Sequence, residues 1–294
     1  WDFYDFKRQA EGCLPIGAVL TIAAAGSEMS QSSVITNENG WVKRGYSSNY
    51  CRPVFAVMDP ELTMTLPPYQ TACGCVDILM HTMERYFNHS GSMEITDGIA
   101  EALMQTVIRN ALIVMQHPND YNARAEIMWA GSLSHNGLTD CGCDHGDWAT
   151  HKMEHELGGL FDVAHGAGLA AIWGSWARYV CDADYARFAR FATKVLNVAP
   201  QATDKETALA GIDAMEQFYH SIQMPTSLRE LGISPTEEQI QEMARKCILA
   251  TNGPAGKVKP LHQNDVENIS DLGGCHEETN LIFELFARAR AEHR

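Results

Sequence analysis

Four histidines and an aspartate are spaced so that their side chains could meet at a metal ion. Asp77 and His81 lie four residues apart in ACGCVDILMHTMERYF, and His151 and His155 have the same spacing in THKMEHELGG. On a helix, residues four apart leave the same face about one turn from each other, which is how a helix presents two ligands to one ion. An ordinary surface pair of Asp and His has the same spacing, so spacing alone leaves both interpretations open.

The segment that follows supplies a further histidine. Gly158 and Gly159 predict the end of the second helix, and the next ten residues, helix end and turn, can return His165 towards His151 or His155. One carboxylate with three imidazoles suits Fe(II) or Zn(II), whereas an all-oxygen site would have indicated Mg(II) or Ca(II). The sequence therefore predicts a four-ligand site whose metal acts as a Lewis acid.

A competing cluster of metal-binding residue types lies between these helices. The segment CGCDHGD contains Cys141, Cys143, Asp144, His145 and Asp147. Its Cys-x-Cys spacing is shorter than the usual Cys-x2-Cys of zinc sites, and no second thiol pair follows. We interpret it as a loop with incidental thiols. The other thiol pair, which flanks a glycine at the start of a helix, indicates close helix packing.

The composition of the chain indicates which kinds of molecule it could bind. The 294 residues are 45% hydrophobic with a formal net charge of -15, which disfavours a nucleic-acid backbone or an anionic membrane and favours small molecules. No apolar run approaches the roughly 18 residues of a membrane span. Nine scattered cysteines do not form a disulfide framework and suggest a reducing cytoplasm. Because the chain starts with Trp1, we expect it to be part of something longer.

The elements that must position these residues change type along the chain. Short apolar or β-branched runs bounded by Gly, Ser, Asn and Pro predict strands within 17–28, 32–37 and 53–61. Apolar residues every three or four positions then predict helices over 69–87, 93–116, 121–137 and 183–196. Ser234, Pro235 and Glu237 predict a capping box at the start of a further helix.

This order predicts a mainly α protein. Three strands are too few for a Rossmann-type sheet, so we expect residues 1–66 to be the C-terminal remnant of an α/β, Rossmann-like nucleotide-binding domain that is mostly absent from this chain. Residues 67–294 are then an all-helical domain that binds the metal and carries the catalysis.

The succession LTIAAAGSE, PVFAVMDPELTMTLPP, GCVDILMHTMERYF, NGL and DWATHKMEHELGGLFDVAHGAGLA resembles the iron-containing (group III) alcohol dehydrogenases, most closely their butanol dehydrogenase and broad-range aldehyde reductase branch. The resemblance implies that the metal ligands are Asp77, His81, His151 and His165. It places His155 near nicotinamide and substrate, without binding the metal, as a catalytic residue.

The resemblance also implies a cofactor, NAD(H) or NADP(H), in a cleft between two domains. The residues that match the family's cofactor site are Thr21, Ala25, Gly26, Lys43, Leu62 and Thr65. The Gly-Gly-Gly-Ser type turn that holds the pyrophosphate in the family does not occur in this sequence. Relatives usually have Thr where Ala25 stands.

The expected reaction is metal-assisted hydride transfer between NAD(P)H and a small aldehyde or primary alcohol. In the reducing direction His155, or a water chain beside it, is expected to deliver the proton, because an imidazole titrates near neutral pH. Two alternatives stay open. One is an all-helical metallohydrolase, although the motif helices offer only Arg85 and Lys152 for a phosphoester; the other is a non-catalytic metal-binding fragment. Association as a homodimer is expected from the resemblance.

Overall fold

In the described part of the chain, the strands come first and the α-helices follow them. The structure, a computed structural model, describes residues 1–88, 91–144 and 146–272, with side chains as far as residue 270. Its strands are β1 (Gly17–Val19), β2 (Ser32–Asn37), β3 (Val42–Ser47) and β4 (Phe55–Val57). Its helices are α1 (Pro68–Tyr86), α2 (Glu94–Gln116), α3 (Tyr121–His135), α4 (Ala149–Phe161), α5 (His165–Val180), α6 (Tyr185–Val195), α7 (Asp204–Ser221), α8 (Glu237–Thr251) and α9 (Gln263–Leu272). The predicted mainly α architecture is confirmed.

The strands form two separate pairs. β1 and β4 are parallel, with Gly17 opposite Phe55, whereas β2 and β3 are an antiparallel hairpin with Asn37 opposite Val42. Sequence reasoning missed β3, because VKRGYS has few β-branched or aromatic residues and no regular alternation. The strand is held instead by its hairpin partner and by contact with α4.

Two local predictions were wrong. α4 does not stop at Gly158 and Gly159 but continues to Phe161, and Asp162 follows with a left-handed φ of 53°. The reason is tertiary, since a Cβ on Gly159 would lie 3.0 Å from the carbonyl oxygen of Trp41. These glycines therefore allow the hairpin to approach the helix closely.

The capping box of α8 also lies elsewhere than predicted. Its N-cap is Thr236, two residues after Ser234. The Thr236 hydroxyl accepts from the backbone N–H of Gln239 at 3.3 Å, and the Gln239 side chain accepts from the N–H of Thr236 at 2.9 Å. Both segments fit the capping pattern, and only the backbone conformation selects between them.

α5 lies at the centre of the helical part and packs against α1, α4, α7 and α9. Trp173 and Trp176 on α5 are fully buried. The contact with α1 is close, because a Cβ on Gly166 would lie 2.1 Å from the carbonyl oxygen of Cys73. The first turn of α5 is thereby pressed against the helix that carries Asp77.

α2 differs from the other helices within the described ranges in being long and apolar enough to cross a membrane, by length and composition alone. No apolar run of that length was expected from the sequence. Core helices meet the same criterion, and α2 packs against α1, α3 and α6.

Candidate metal centre

Three of the predicted ligands converge from three helices. Asp77 on α1, His151 on α4 and His165 on α5 each offer one ligand atom, and these atoms lie within 4.8 Å of one another. The Asp77 Oδ1 atom is 3.6 Å from His151 Nε2 and 3.7 Å from His165 Nε2. Separations of this size leave space for an ion at the usual ligand distances of about 2.0–2.2 Å.

Two of these atoms make no hydrogen bond in the described part of the chain, although Nδ1 of His81 lies 3.2 Å from Asp77 Oδ1. Asp77 Oδ1 and His151 Nε2 are buried and have no hydrogen bond within the described residues. Buried polar atoms are nearly always bonded, so a facing pair of unpartnered ones indicates that something outside the polypeptide satisfies them. A carboxylate with imidazoles is a donor set that fits Fe(II) or Zn(II). The residues present therefore fit the implied metal.

The fourth predicted ligand, His81, lies beside this group of three. Its Nδ1 is 2.9 Å from the backbone oxygen of Asp77, and because a carbonyl only accepts, that nitrogen carries the proton. Its ring centroid is 4.5 Å from that of His151. Nε2 of His81 is thus the nitrogen left for an ion, although it does not belong to the group within 4.8 Å.

Two buried carboxylates orient the other two histidines. Glu84 on α1 accepts from Nδ1 of His151, and its second oxygen accepts from the backbone N–H of the same residue at 3.0 Å. Glu154 on α4 accepts from Nδ1 of His165. In both cases Nε2 is left facing Asp77. A metal-ligating histidine typically donates its other N–H to such a carboxylate.

The same charges set the protonation of the metal-free site. Burial alone would raise the pKa of the Asp77 carboxyl, but His81 and His151 hold it well below its usual value. Burial would lower the pKa of His151, but the carboxylates of Glu84 and Asp77 raise it to about 9. A metal that binds at Nε2 therefore displaces a proton from His151.

His155 is buried on the same face of α4 as His151. Its ring centroid lies 5.9 Å from that of His165 and 6.4 Å from that of His151. Burial, together with the charges of His165 and His151, holds the pKa of His155 well below its usual value. The expectation that it titrates near neutral pH is therefore wrong for the metal-free protein, in which this imidazole is neutral.

Aromatic and basic side chains close one side of the centre. The ring centroids of Trp148 and His151 are 5.4 Å apart, and the Arg85 guanidinium lies 4.7 Å from the Trp148 ring. Arg85 donates to the backbone oxygens of His81 and Ser134, at 2.7 and 2.9 Å. It is thus engaged in holding α1 to α3. His165, in contrast, is 31% exposed, so the site opens to solvent on its side.

Within the described residues, the competing thiols join no group that could hold a metal. The groups that could hold a metal in residues 1–88, 91–144 and 146–272 include neither Cys141 nor Cys143, and His145 lies outside the described residues. Asp147 is buried and accepts from the backbone N–H groups of Ala149 at 3.0 Å and Val258 at 2.9 Å. It is an anchor for the loop, and its burial raises its pKa to about 6. The other thiol pair is buried within α1.

The predicted cofactor residues lie on several segments next to the centre. Thr21, Ala25, Leu62 and Thr65 are exposed, Lys43 is half-buried and Gly26 is buried. Gly26 has a φ of +58°, and a Cβ there would lie 2.5 Å from the Cβ of His135. Ala23 lies between Thr21 and Ala25, and Thr63 lies between Leu62 and Thr65. Because Ala23 and Thr63 line the same small cavity, these two segments are neighbours in the fold.

Sequence reasoning missed three residues of the centre. Glu84 and Glu154 orient its histidines, and His135 packs on His81 with centroids 4.1 Å apart. Helical spacing contained part of this information, because Glu84 follows Asp77 by seven residues and Glu154 follows His151 by three. For His135, no spacing to a predicted ligand in the sequence indicated that it would lie at the centre.

Comparisons with known proteins identify the family of this chain. Residues 71–271 match the profile of the Fe-containing alcohol dehydrogenase family, C-terminal part, and residues 1–60 match that of iron-containing alcohol dehydrogenase. The NADH-dependent butanol dehydrogenase A of Clostridium acetobutylicum is 37% identical over 270 residues, 92% of this chain and 69% of that protein. The NADPH-dependent aldehyde reductase YqhD of Escherichia coli is 34% identical over 226 residues, 77% of this chain and 58% of that protein.

A solved structure gives the same result for the fold. The NADH-dependent butanol dehydrogenase A from Thermotoga maritima superposes with a TM-score of 0.88 at 36% identity, over 94% of this chain and 70% of that one. Sequence profile, identity and fold thus agree. The chain belongs to the iron-containing alcohol dehydrogenase family.

Proposed function

We propose that this chain carries the metal centre of an alcohol dehydrogenase or aldehyde reductase that transfers a hydride between NAD(P)H and a small aldehyde or primary alcohol. The observation that carries the proposal is that Asp77 Oδ1, Nε2 of His151 and Nε2 of His165 lie close together, and that the first two of these atoms are buried without a hydrogen bond within the described residues. We assign His81 as the fourth ligand of Fe(II) or Zn(II). Family membership favours this reaction over the metallohydrolase alternative.

The bound metal would supply Lewis-acid polarisation of the substrate oxygen, and the nicotinamide would give or take the hydride. The chain's own residues would bind the ion, orient its ligands and shield the site from water. Glu84 and Glu154 fix the imidazoles, Trp148 closes one side against water, and the half-exposed side of His165 admits the substrate. In the reducing direction, neutral His155 gives the proton of one ring nitrogen to the substrate oxygen and takes up a proton from water at the other nitrogen, so the imidazole is again neutral after the transfer.

We assign the nicotinamide cofactor to the segments around Thr21, Ala25 and Gly26, to Lys43, and to Leu62 and Thr65. We also propose that residues 1–66 belong with an α/β nucleotide-binding domain and residues 67–294 with the helical metal-binding domain, since the strands lie before residue 58 and the α-helices begin at Pro68. A cytoplasmic location and assembly as a homodimer stay predictions.

The test is the metal content of the purified protein by elemental analysis, for wild type, His151→Ala and the exposed control His117→Ala. We expect wild type and control to hold about one equivalent of iron or zinc and His151→Ala to lose it, because its Nε2 is removed from the group of three. Aldehyde-dependent oxidation of NADH and NADPH, measured on the metal-loaded full-length protein with its nucleotide-binding domain, then separates a dehydrogenase from a hydrolase. Equal metal in wild type and both variants would contradict the ligand assignment, and a metal-loaded full-length protein that oxidises neither nucleotide would contradict the activity.

A further inference from the structure

Glu154 connects two parts of the molecule through one carboxylate. Its side chain is fully buried on α4. Oε2 accepts from Nδ1 of His165 at the start of α5 and lies 3.1 Å from the Nζ atom of Lys43 on β3. Oε1 lies 3.3 Å from the same ammonium. The carboxylate is thus shared between a histidine of the metal centre and a lysine of the hairpin.

Two glycines make the space that this arrangement occupies. A Cβ on Gly158 would lie 2.6 Å from Glu154 Oε1 and 2.9 Å from Lys43 Nζ. A Cβ on Gly168, on the neighbouring helix α5, would lie 3.0 Å from Glu154 Cγ. Both helices therefore lack a side chain at the point where Glu154 and Lys43 enter between them.

The lysine also decides which of two candidate ligand groups takes the ion. Glu154, His155 and His165 form a second group of ligand atoms within 4.8 Å. A cation there would have to displace the Lys43 ammonium from Glu154. The first group, at Asp77, contains unpartnered atoms and no competing lysine contact. Charge therefore favours a metal on Nε2 of His165 and leaves Glu154 on Nδ1.

A neighbouring ion pair shows that docking of the hairpin does not depend on Glu154 alone. Arg44 follows Lys43 on β3 and lies 2.7 Å from Glu156, two residues after Glu154 on α4. The Glu156 side chain is also buried, at 1% exposure. Within the described part of the chain, Glu156 forms no bond to a histidine. Glu156 is therefore a matched control for Glu154.

We propose that Glu154 is a positioning residue for metal binding, which holds His165 with its Nδ1 protonated and its Nε2 towards Asp77 while Lys43 fixes the carboxylate from the other side. A carboxylate only accepts, so the proton of the neutral imidazole stays on Nδ1 and the lone pair of Nε2 stays free for the ion. Removing such a partner of a ligand typically weakens metal affinity about 10- to 100-fold. The proposal rests on the metal centre described under the proposed function.

The experiment is a Co(II) titration of the metal-stripped chain, with affinity measured by chelator competition and geometry by the visible absorption bands of the bound ion. We expect Glu154→Gln to weaken the affinity about 10- to 100-fold and to change the bands. Glu156→Gln removes the same charge from the same helix and is expected to leave both measurements unchanged. A merely structural loss would affect the two variants alike.

A shorter carboxylate gives a second measurement. Glu154→Asp keeps the charge but withdraws it from His165 by one methylene, so we expect weaker Co(II) binding here as well. If circular dichroism shows that Glu154→Gln does not fold, the comparison uses this variant. Wild-type affinity and bands in a folded Glu154 variant would overturn the inference alone, whereas a full-length protein that binds Co(II) but reduces no aldehyde would contradict only the proposed activity.

Discussion

Gly166→Ala is expected to damage both the stability of the protein and its metal centre. Gly166 lies in the first turn of α5, directly after His165, and faces the backbone of α1 at Cys73. Cys73 is one helical turn before Asp77. Any movement that separates the two helices at this point therefore also separates His165 from Asp77.

The size of the effect follows from the distances. A Cβ on Gly166 would lie 2.1, 2.6 and 2.7 Å from the O, C and Cα atoms of Cys73, whereas ordinary contacts begin at 3.4 Å. These are backbone atoms, so no rotamer change relieves the clash, and α5 must shift by about 1 Å. Overpacking of this kind costs about 1–3 kcal/mol, and the better helix propensity of Ala returns about 0.5–1 kcal/mol. Because the clash is with rigid backbone, we expect a cost near the upper end of this range and a net loss of about 2 kcal/mol in the free energy of unfolding.

The assay is urea unfolding of the metal-free protein, followed by circular dichroism, together with the Co(II) affinity. Gly98→Ala is the control, because Gly98 lies in α2 with nothing within 4 Å of an added Cβ. It should gain about 0.5–1 kcal/mol and leave Co(II) binding unchanged. If Gly166→Ala unfolded at the same urea concentration as wild type, or bound Co(II) equally well, the close approach of α1 and α5 would be refuted.

Two further predictions concern the pH dependence of stability and the start of α8. Burial, with the charges of His81 and Arg85, lowers the pKa of His135 to about 2. The unfolded chain takes up a proton at His135 below about pH 6.5 and the folded protein does not, so stability is present above that pH and is lost as the pH falls, by at most about 1.4 kcal/mol per pH unit. His135→Gln should reduce this slope in urea unfolding between pH 6.5 and 5, and an unchanged slope would assign it to other groups. Thr236→Ala should cost about 1 kcal/mol of unfolding free energy, and Ser234→Ala, outside the capping box, should cost less than about 0.5 kcal/mol; equal losses would contradict the assigned N-cap.

The sequence predicted those features of the centre that depend on local spacing. The i and i+4 pairs Asp77 with His81, and His151 with His155, are on helices as expected. Hydrophobic periodicity placed the first helices to within two residues, because their buried faces repeat along the chain. The metal assignment itself stays a prediction until the ion is measured.

Features that depend on contacts between distant segments could not be predicted in this way. The pair of Lys43 with Glu154 joins residues on a strand and a helix far apart in the chain, and nothing local to either residue indicates the other. Gly158 and Gly159 carry the usual signal for a helix end, yet here they serve close packing. The lowering of the pKa of His155 by the charges of His165 and His151 likewise could not be predicted, because only the fold brings these residues beside it.

The ligands lie on three helices, and this affects when the ion can bind during folding. Asp77 is separated in the chain from His151 and His165 by the whole of α2 and α3, so no short folding segment contains a competent binding site. An ion that prefers the assembled site acts as a crosslink across this long stretch and stabilises only the fully folded chain. Metal uptake during synthesis should therefore come late, after the helices have docked, and the rate of uptake would report the completion of folding.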